Sequence, residues 1–218
     1  MKIELHAHTS EISPCGKLSA EELIRLYREA RYDCLVITNH FSEYAAQSRA
    51  DEGRPDFSNC YHEEFDKAAE LGRKAGILVL CGYEVRFRKN ANDYLVYGAD
   101  RSLFEDHERI FSMDAHSFGC LARERNFLFY QAHPFRNGMT ITEPADLFGI
   151  EVNNAHPRHD SRNDIAGSWA RKFQLREISG SDCHQKQDAG RAGILTKEPV
   201  KDMADLVRVL RDGLYSMF

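Results

Sequence analysis

The chain has 218 residues, of which 42% are hydrophobic and 29% charged, and its formal net charge is −5. No run is apolar enough to span a bilayer, and no basic stripe supplies the counterion release on which nucleic-acid coating depends. Six cysteines without a C-x-x-C pair, and an N-terminus without the basic and apolar regions of a secretory leader, lead us to expect reduced thiols in a cytoplasmic protein.

The first predicted element is the strand "KIELHAH", residues 2–8, which ends in His6 and His8. Residues two apart in a strand share a face, so both imidazoles project side by side. "LSAEELIRLYREARYD" predicts a helix: Ser19 and Glu22 form a capping box, and Leu23, Leu26, Tyr27 and Ala30 recur at helical spacing. "CLVITNH" reads as a buried strand ending in His40. A second amphipathic helix, "NCYHEEFDKAAELGRKAG", closes on Gly76 and leads into the strand "ILVLCGYEV" with Glu84 near its end.

"DYLVYGAD" is a further strand, and "DAHSFGCLARERN" a helix before the strand "FLFYQAHP", which ends in His133. After the strand "GIEVNN" come the helix "SRNDIAGSWARKFQ" and the strand "REISGSDCH", where Asp182 and His184 are again two apart. "AGILT" and the amphipathic "VKDMADLVRVLRDG" end the chain. No linker or internal repeat divides it, so we expect a single domain over 1–218. Alternating strands and helices predict a parallel sheet covered by helices, and without a Gly-x-Gly-x-x-Gly fingerprint a barrel is favoured over a doubly wound sheet.

Five of the ten histidines thus stand at the C-terminal ends of predicted strands, with Glu84 and Asp182 beside them. In a parallel barrel those ends open onto one face, where active sites are built. A single strand-end histidine is ordinarily a hydrogen-bonded structural residue, and His62, His107 and His116, in or near helices, keep that reading. Seven convergent imidazoles and carboxylates are too many for one ion and suit two or three Zn, Mn or Fe ions bridged by a carboxylate such as Glu84. Clustered ions in turn suit hydrolysis at phosphorus. His156 and His159, in "NNAHPRHD", are further candidates to line the pocket.

"HAHT", "ITNH", "GYE", "AHP" and "GSDCH", in this order and over essentially the whole chain, resemble the PHP (polymerase and histidinol phosphatase) superfamily. The resemblance implies a distorted (β/α)7 barrel of mostly parallel strands with outer helices, a two- or three-metal centre and phosphoester hydrolysis. Carried over by position, it implies a first ion on His6, His8, Glu84 and Asp182, a second on Glu84 and His133, and a third on His40 and His184. Three positions depart from the family pattern. Cys15, with Glu11 nearby, stands where many relatives carry His or Asp, and either is a candidate ligand. Asp93 replaces a frequent histidine, and Asn39 replaces the aspartate of T-D-H.

For the phosphate, Arg136 and Arg191 are the chosen guanidinium partners, ahead of Arg86 and Arg158. His184 is the candidate proton donor to the leaving alkoxide. The expected activity is that of a stand-alone metal-dependent phosphatase for a small phosphomonoester such as histidinol phosphate or a nucleotide. A phosphodiesterase or exonuclease is the alternative enzyme, and a degenerate PHP module with a structural metal the non-enzymatic one. A nucleic-acid polymer or a membrane is not an expected partner.

Overall fold

The computed structural model describes residues 1–218. Its helices begin where the capping chemistry places them. Ser19 and Glu22 exchange hydrogen bonds at the start of α1 (Ala20–Glu29), and Gly76 ends α3 (Phe57–Ala75) with a φ of 71°, in the left-handed region glycine tolerates. Ser42 caps α2 (Glu43–Asp51), whose buried Arg49 donates to the Glu11 carbonyl. The remaining helices are α4 (His107–Ser112), α5 (Ala115–Arg125), α6 (Asn163–Phe173) and α7 (Met203–Asp212).

The strands form two sheets. In the first, β1 (Lys2–Ala7), β2 (Cys34–Ile37) and β4 (Leu78–Cys81) run parallel, while β10 (Ile194–Leu195) and β11 (Ser216–Met217) extend its edge antiparallel. The second is ordered β3 (His40–Phe41), β5 (Tyr83–Val85), β6 (Tyr94–Tyr97), β7 (Leu128–Gln131), β8 (Gly149–Asn154) and β9 (Arg176–Gly180). β6 is antiparallel to both neighbours and the other pairs of this sheet are parallel. The expected strands "CLVITNH" and "ILVLCGYEV" are each broken, at Thr38–Asn39 and at Gly82, where the chain passes from the first sheet to the second.

The expectation of a (β/α)7 barrel needs correction, because the strands do not close into a ring. β1 and β9 lie side by side without a hydrogen-bonded ladder, and the one bridge at this seam joins Ala7 to Cys183, three residues past the end of β9. Glu4 explains the gap. Its Oε1 accepts hydrogen bonds from the Leu5, His6 and Ser181 N–H groups at 2.9–3.0 Å, and Tyr27 of α1 donates to its Oε2 at 2.7 Å. A buried carboxylate thus takes the backbone donors that a continuous ladder would use.

The register of β1 on β2 also slips by one residue between Glu4 and Ala7. A bulge of this kind re-aims the side chains beyond it. Glu4 turns outward to α1, whereas His6 turns inward. Below the site, Ile3, Leu5, Val36, Leu80, Leu95, Leu128 and Ile178 fill the space between the sheets, closed off by Leu206, Val209 and Leu210 of α7. Outside the second sheet, Phe41, Phe57, Tyr83, Phe104, Phe111, Phe118 and Phe129 pack with α3, α4 and α5. Burying each such ring stabilises the fold by roughly 1.5–3 kcal/mol, so this layer anchors the strands that carry His40 and Glu84.

Candidate metal centre

The C-terminal ends of the parallel strands bring His6, His8, His40, Glu84, His133, Asp182 and His184 into one cluster. Glu84, fully buried on β5, is its centre. Its Oε1 lies 3.2 Å from His6 Nε2 and 3.3 Å from His133 Nε2, and its Oε2 lies 2.7 Å from His40 Nδ1 and 3.4 Å from His8 Nε2. Asp182 Oδ1 stands 3.4 Å from His6 Nε2, 3.5 Å from His8 Nε2 and 3.3 Å from His184 Nδ1. Five overlapping triads result: His6–His8–Asp182, His6–Glu84–His133, His8–His40–His184, His40–Glu84–Asp93 and His156–Asp182–His184, each with ligand atoms within 4.8 Å of one another.

Two residues of the cluster adopt backbone conformations that residues other than glycine rarely take: His133 has a φ of 28° and Asp182 of 51°. Strain of this sort persists only where the surroundings impose it, and it gathers at functional sites. Both stand two residues past the end of a strand and are turned back into the cluster.

The polar atoms themselves test the fit to a cation. His6 Nε2 and His8 Nε2 are buried, make no hydrogen bond, and both face Glu84 and Asp182. Leaving a buried polar atom unpaired costs about 1–3 kcal/mol, and a cation between these two nitrogens and the two carboxylates would satisfy both. The tautomer of His8 agrees. The Ser13 hydroxyl donates to Asn39 Oδ1 at 2.9 Å, so its oxygen, 3.2 Å from His8 Nδ1, accepts from that nitrogen and leaves the Nε2 lone pair facing the cluster. Asn39 therefore acts through Ser13 on His8.

Electrostatics separates the imidazoles. Burial disfavours a charged His6, but Glu151, Asp182 and Glu84 outweigh it and hold its pKa well above the ordinary value. Burial and the neighbouring His184 and His40 push His8 well below. For Glu84, burial is outweighed by His40 and His6, and the carboxyl is held well below its usual range. Asp182 is likewise lowered, against burial, by His6, His8, His184 and Arg136.

The remaining candidates divide. Cys15, Asp93, Arg136, Arg86, Arg158, His156 and His159 all line a cavity of about 440 Å³ over the cluster, together with Lys17, Met139 and Gln185. Asp93 is clasped by Arg86 at 2.6 and 2.7 Å, with His133 Nε2 3.8 Å away. Cys15 stands beside His40 and His184. Burial raises its thiol pKa, but these two imidazoles outweigh it and bring it down to about 6. Arg136 donates through Nη2 to Asp182 Oδ2 at 2.6 Å and to Asn154 Oδ1 at 2.9 Å.

Two expected residues are not brought to the cluster. Glu11 turns away and accepts from the Ala20 N–H at the start of α1. Arg191 is exposed and outside the cavity wall, tied by its backbone N–H to Ser181 Oγ. The sequence reading also passed over Glu151, Asn154 and Ser13, which contact the cluster. Glu151 had one visible signal, a charged residue inside the apolar strand "GIEVNN".

A family model described as PHP-associated matches residues 160–214, a stretch holding Asp182 and His184. Among solved structures, a two-domain protein from Bacteroides vulgatus containing a predicted PHP-like metal-dependent phosphoesterase aligns with a TM-score of 0.71 at 18% identity. The alignment covers 100% of this chain and 64% of that one. The chain has a PHP-type fold. The PHP resemblance read from the sequence motifs is thus borne out by a family match and by structure.

A protein from Bifidobacterium adolescentis described as a metal-dependent phosphoesterase aligns with this chain at a TM-score of 0.57 and 15% identity. There, 95% of each chain is covered. The lesion-specific endonuclease of Pyrococcus furiosus aligns at 0.64 and 13%, over 99% of this chain and 57% of that one. No curated protein sequence matches. No helix is long and apolar enough to cross a membrane.

Proposed function

We propose that this protein is a metal-dependent phosphoesterase that hydrolyses a small phosphomonoester. The observation that carries this reading is the convergence of buried imidazoles on Glu84 and Asp182, with His6 Nε2 and His8 Nε2 unpaired, beneath a cavity of about 440 Å³, the size of a small-ligand site. His6, His8, Glu84 and Asp182 would hold one divalent ion, Glu84 and His133, with Asp93 nearby, a second, and His40 and His184, with Cys15 nearby, a third. Zn, Mn and Fe all suit such donors. When bound, such ions supply Lewis acidity at the phosphoryl oxygens and an acidified water.

The chain's own residues supply the rest. Arg136 uses Nη2 on Asp182 and Asn154, which leaves Nη1 for a phosphate oxygen. Lys17, on the same wall, is in no ion pair and offers a second cation. In the hydrolysis one P–O bond forms to the water oxygen and the bond to the leaving group breaks. With only two ions bound, His184, its Nδ1 held 3.3 Å from Asp182, is free to deliver from Nε2 the proton that the departing alkoxide needs.

A second reading, cleavage within a nucleic-acid strand, is favoured by the likeness to the Pyrococcus endonuclease. The net charge of −5 weighs against it. The deciding experiment uses protein stripped of metal and reloaded with Mn, Zn or Fe. Phosphate release is measured from a panel of small monoesters, beside dinucleotides and single- and double-stranded DNA. Metal-dependent turnover of a monoester with the polymers untouched is expected. Cleavage of only the diesters would move the protein to the nuclease reading, and silence with metal bound would make it an interaction module.

A further inference from the structure

Glu151 contacts two of the proposed ligand residues and has no place in the reaction as described. Its side chain is fully buried on β8. Oε1 lies 2.9 Å from His6 Nδ1, and Oε2 accepts from the His133 N–H at 3.0 Å and from Asn154 Nδ2 at 2.9 Å. Asn154 Nδ2 in turn lies 3.2 Å from Asp182 Oδ2. One carboxylate therefore touches the ring of one ligand and the strained backbone of a second, and reaches a third through an amide.

We infer that Glu151 is a positioning residue for the metal centre: it holds the proton of His6 on Nδ1, so that the Nε2 lone pair faces the ion, and it pins the backbone turn that aims His133. The inference rests on the proposal that His6 and His133 are metal ligands. Its physical basis is the donor count. All three partners of Glu151 are N–H groups, and an ionised carboxylate is the side chain that accepts on both oxygens.

Glutamine has nearly the same shape and fails in either orientation. With its oxygen toward His6, its NH2 faces two other donors, the His133 N–H and Asn154 Nδ2. With its NH2 toward His6, the imidazole must accept at Nδ1 and carry its proton on Nε2, the atom needed by the ion. The packing leaves no slack for an alternative, since a Cβ on Gly180 of β9 would come within 2.5 Å of His6 Cβ and 2.8 Å of Glu151 Oε1.

The test is the zinc affinity of wild type and Glu151→Gln by competition with a chromophoric chelator, with the visible spectrum of the cobalt-loaded proteins alongside. Outer partners of ligand histidines are typically worth about 10–100-fold in metal affinity, and a loss of that size with an altered cobalt spectrum and an unchanged circular dichroism spectrum is expected. Wild-type affinity and spectrum in the variant would overturn the inference while leaving the metal reading intact. If wild type itself takes up no zinc, the metal reading falls and takes this inference with it. Should the variant not fold, ¹⁵N–¹H correlation of the imidazoles in zinc-loaded wild type decides. A His6 proton on Nδ1 supports the role of Glu151, and one on Nε2 overturns it.

Discussion

Replacing Arg136 with methionine keeps the aliphatic stem and removes the cation that faces Asp182. In wild type the 2.6 Å contact joins a guanidinium with 14% of its side chain exposed to a carboxylate with 1% exposed. Removing one partner of a buried ion pair costs roughly 3–5 kcal/mol. Asp182 keeps the 3.2 Å contact with Asn154 and faces a cavity that admits water, which places the cost near the lower end, about 3 kcal/mol. For a chain of this length about 1 kcal/mol corresponds to roughly 2–4 °C, so chelator-treated Arg136→Met should melt roughly 6–12 °C below wild type. A divalent ion on Asp182 takes over the role of the lost cation. Melting with saturating Mn should therefore show less than half that difference. Equal losses with and without the ion, or a metal-free loss under about 2 °C, would refute the claim that Asp182 is a buried charge shared between Arg136 and a metal.

His8→Ala and Asp182→Ala should each lower the metal content found by atomic emission and abolish metal-dependent phosphate release while the circular dichroism spectrum stays folded; full activity in either would remove it from the first site. Cys15 in metal-free protein should react with iodoacetamide with a midpoint near pH 6 and be protected by zinc; a midpoint near the ordinary thiol value, about 8.5, would sink the proposed contact with His40 and His184. Metal-free stability should be greatest in mildly acidic solution. Glu84 and Asp182, held low, contribute above their unfolded values and lose that contribution as pH falls through the folded ones. His6 and His40, held high, contribute fully below about 6.5 and lose it as pH rises through their folded values. His8, held neutral, steepens the acid side. Urea midpoints should therefore be higher at pH 6 than at pH 3 or pH 9, and a rise from pH 6 to pH 9 would contradict the ion pairs described.

The sequence by itself determined which chemistry could occur and at which strand ends. His6 with His8, and Asp182 with His184, are local pairs whose spacing of two fixes a shared direction, and Ser19 with Glu22 is a contact within one helical turn. Such features depend on neighbours along the chain and are readable there. Tertiary structure decided the rest. Whether the sheet closes turned on Glu4, whose partners Ser181 and Tyr27 lie far off in sequence, and on a one-residue slip that turns His6 inward. Glu11 and Arg191 have the right chemistry at plausible places, yet a helix N-terminus holds the first and the second stays outside the cavity wall. Glu151 shows the same limit from the other side. Its importance lies in a 2.9 Å contact across 145 residues of chain, and which carboxylate meets which imidazole is set by packing, because an unpaired buried charge is too costly for the fold to leave in place.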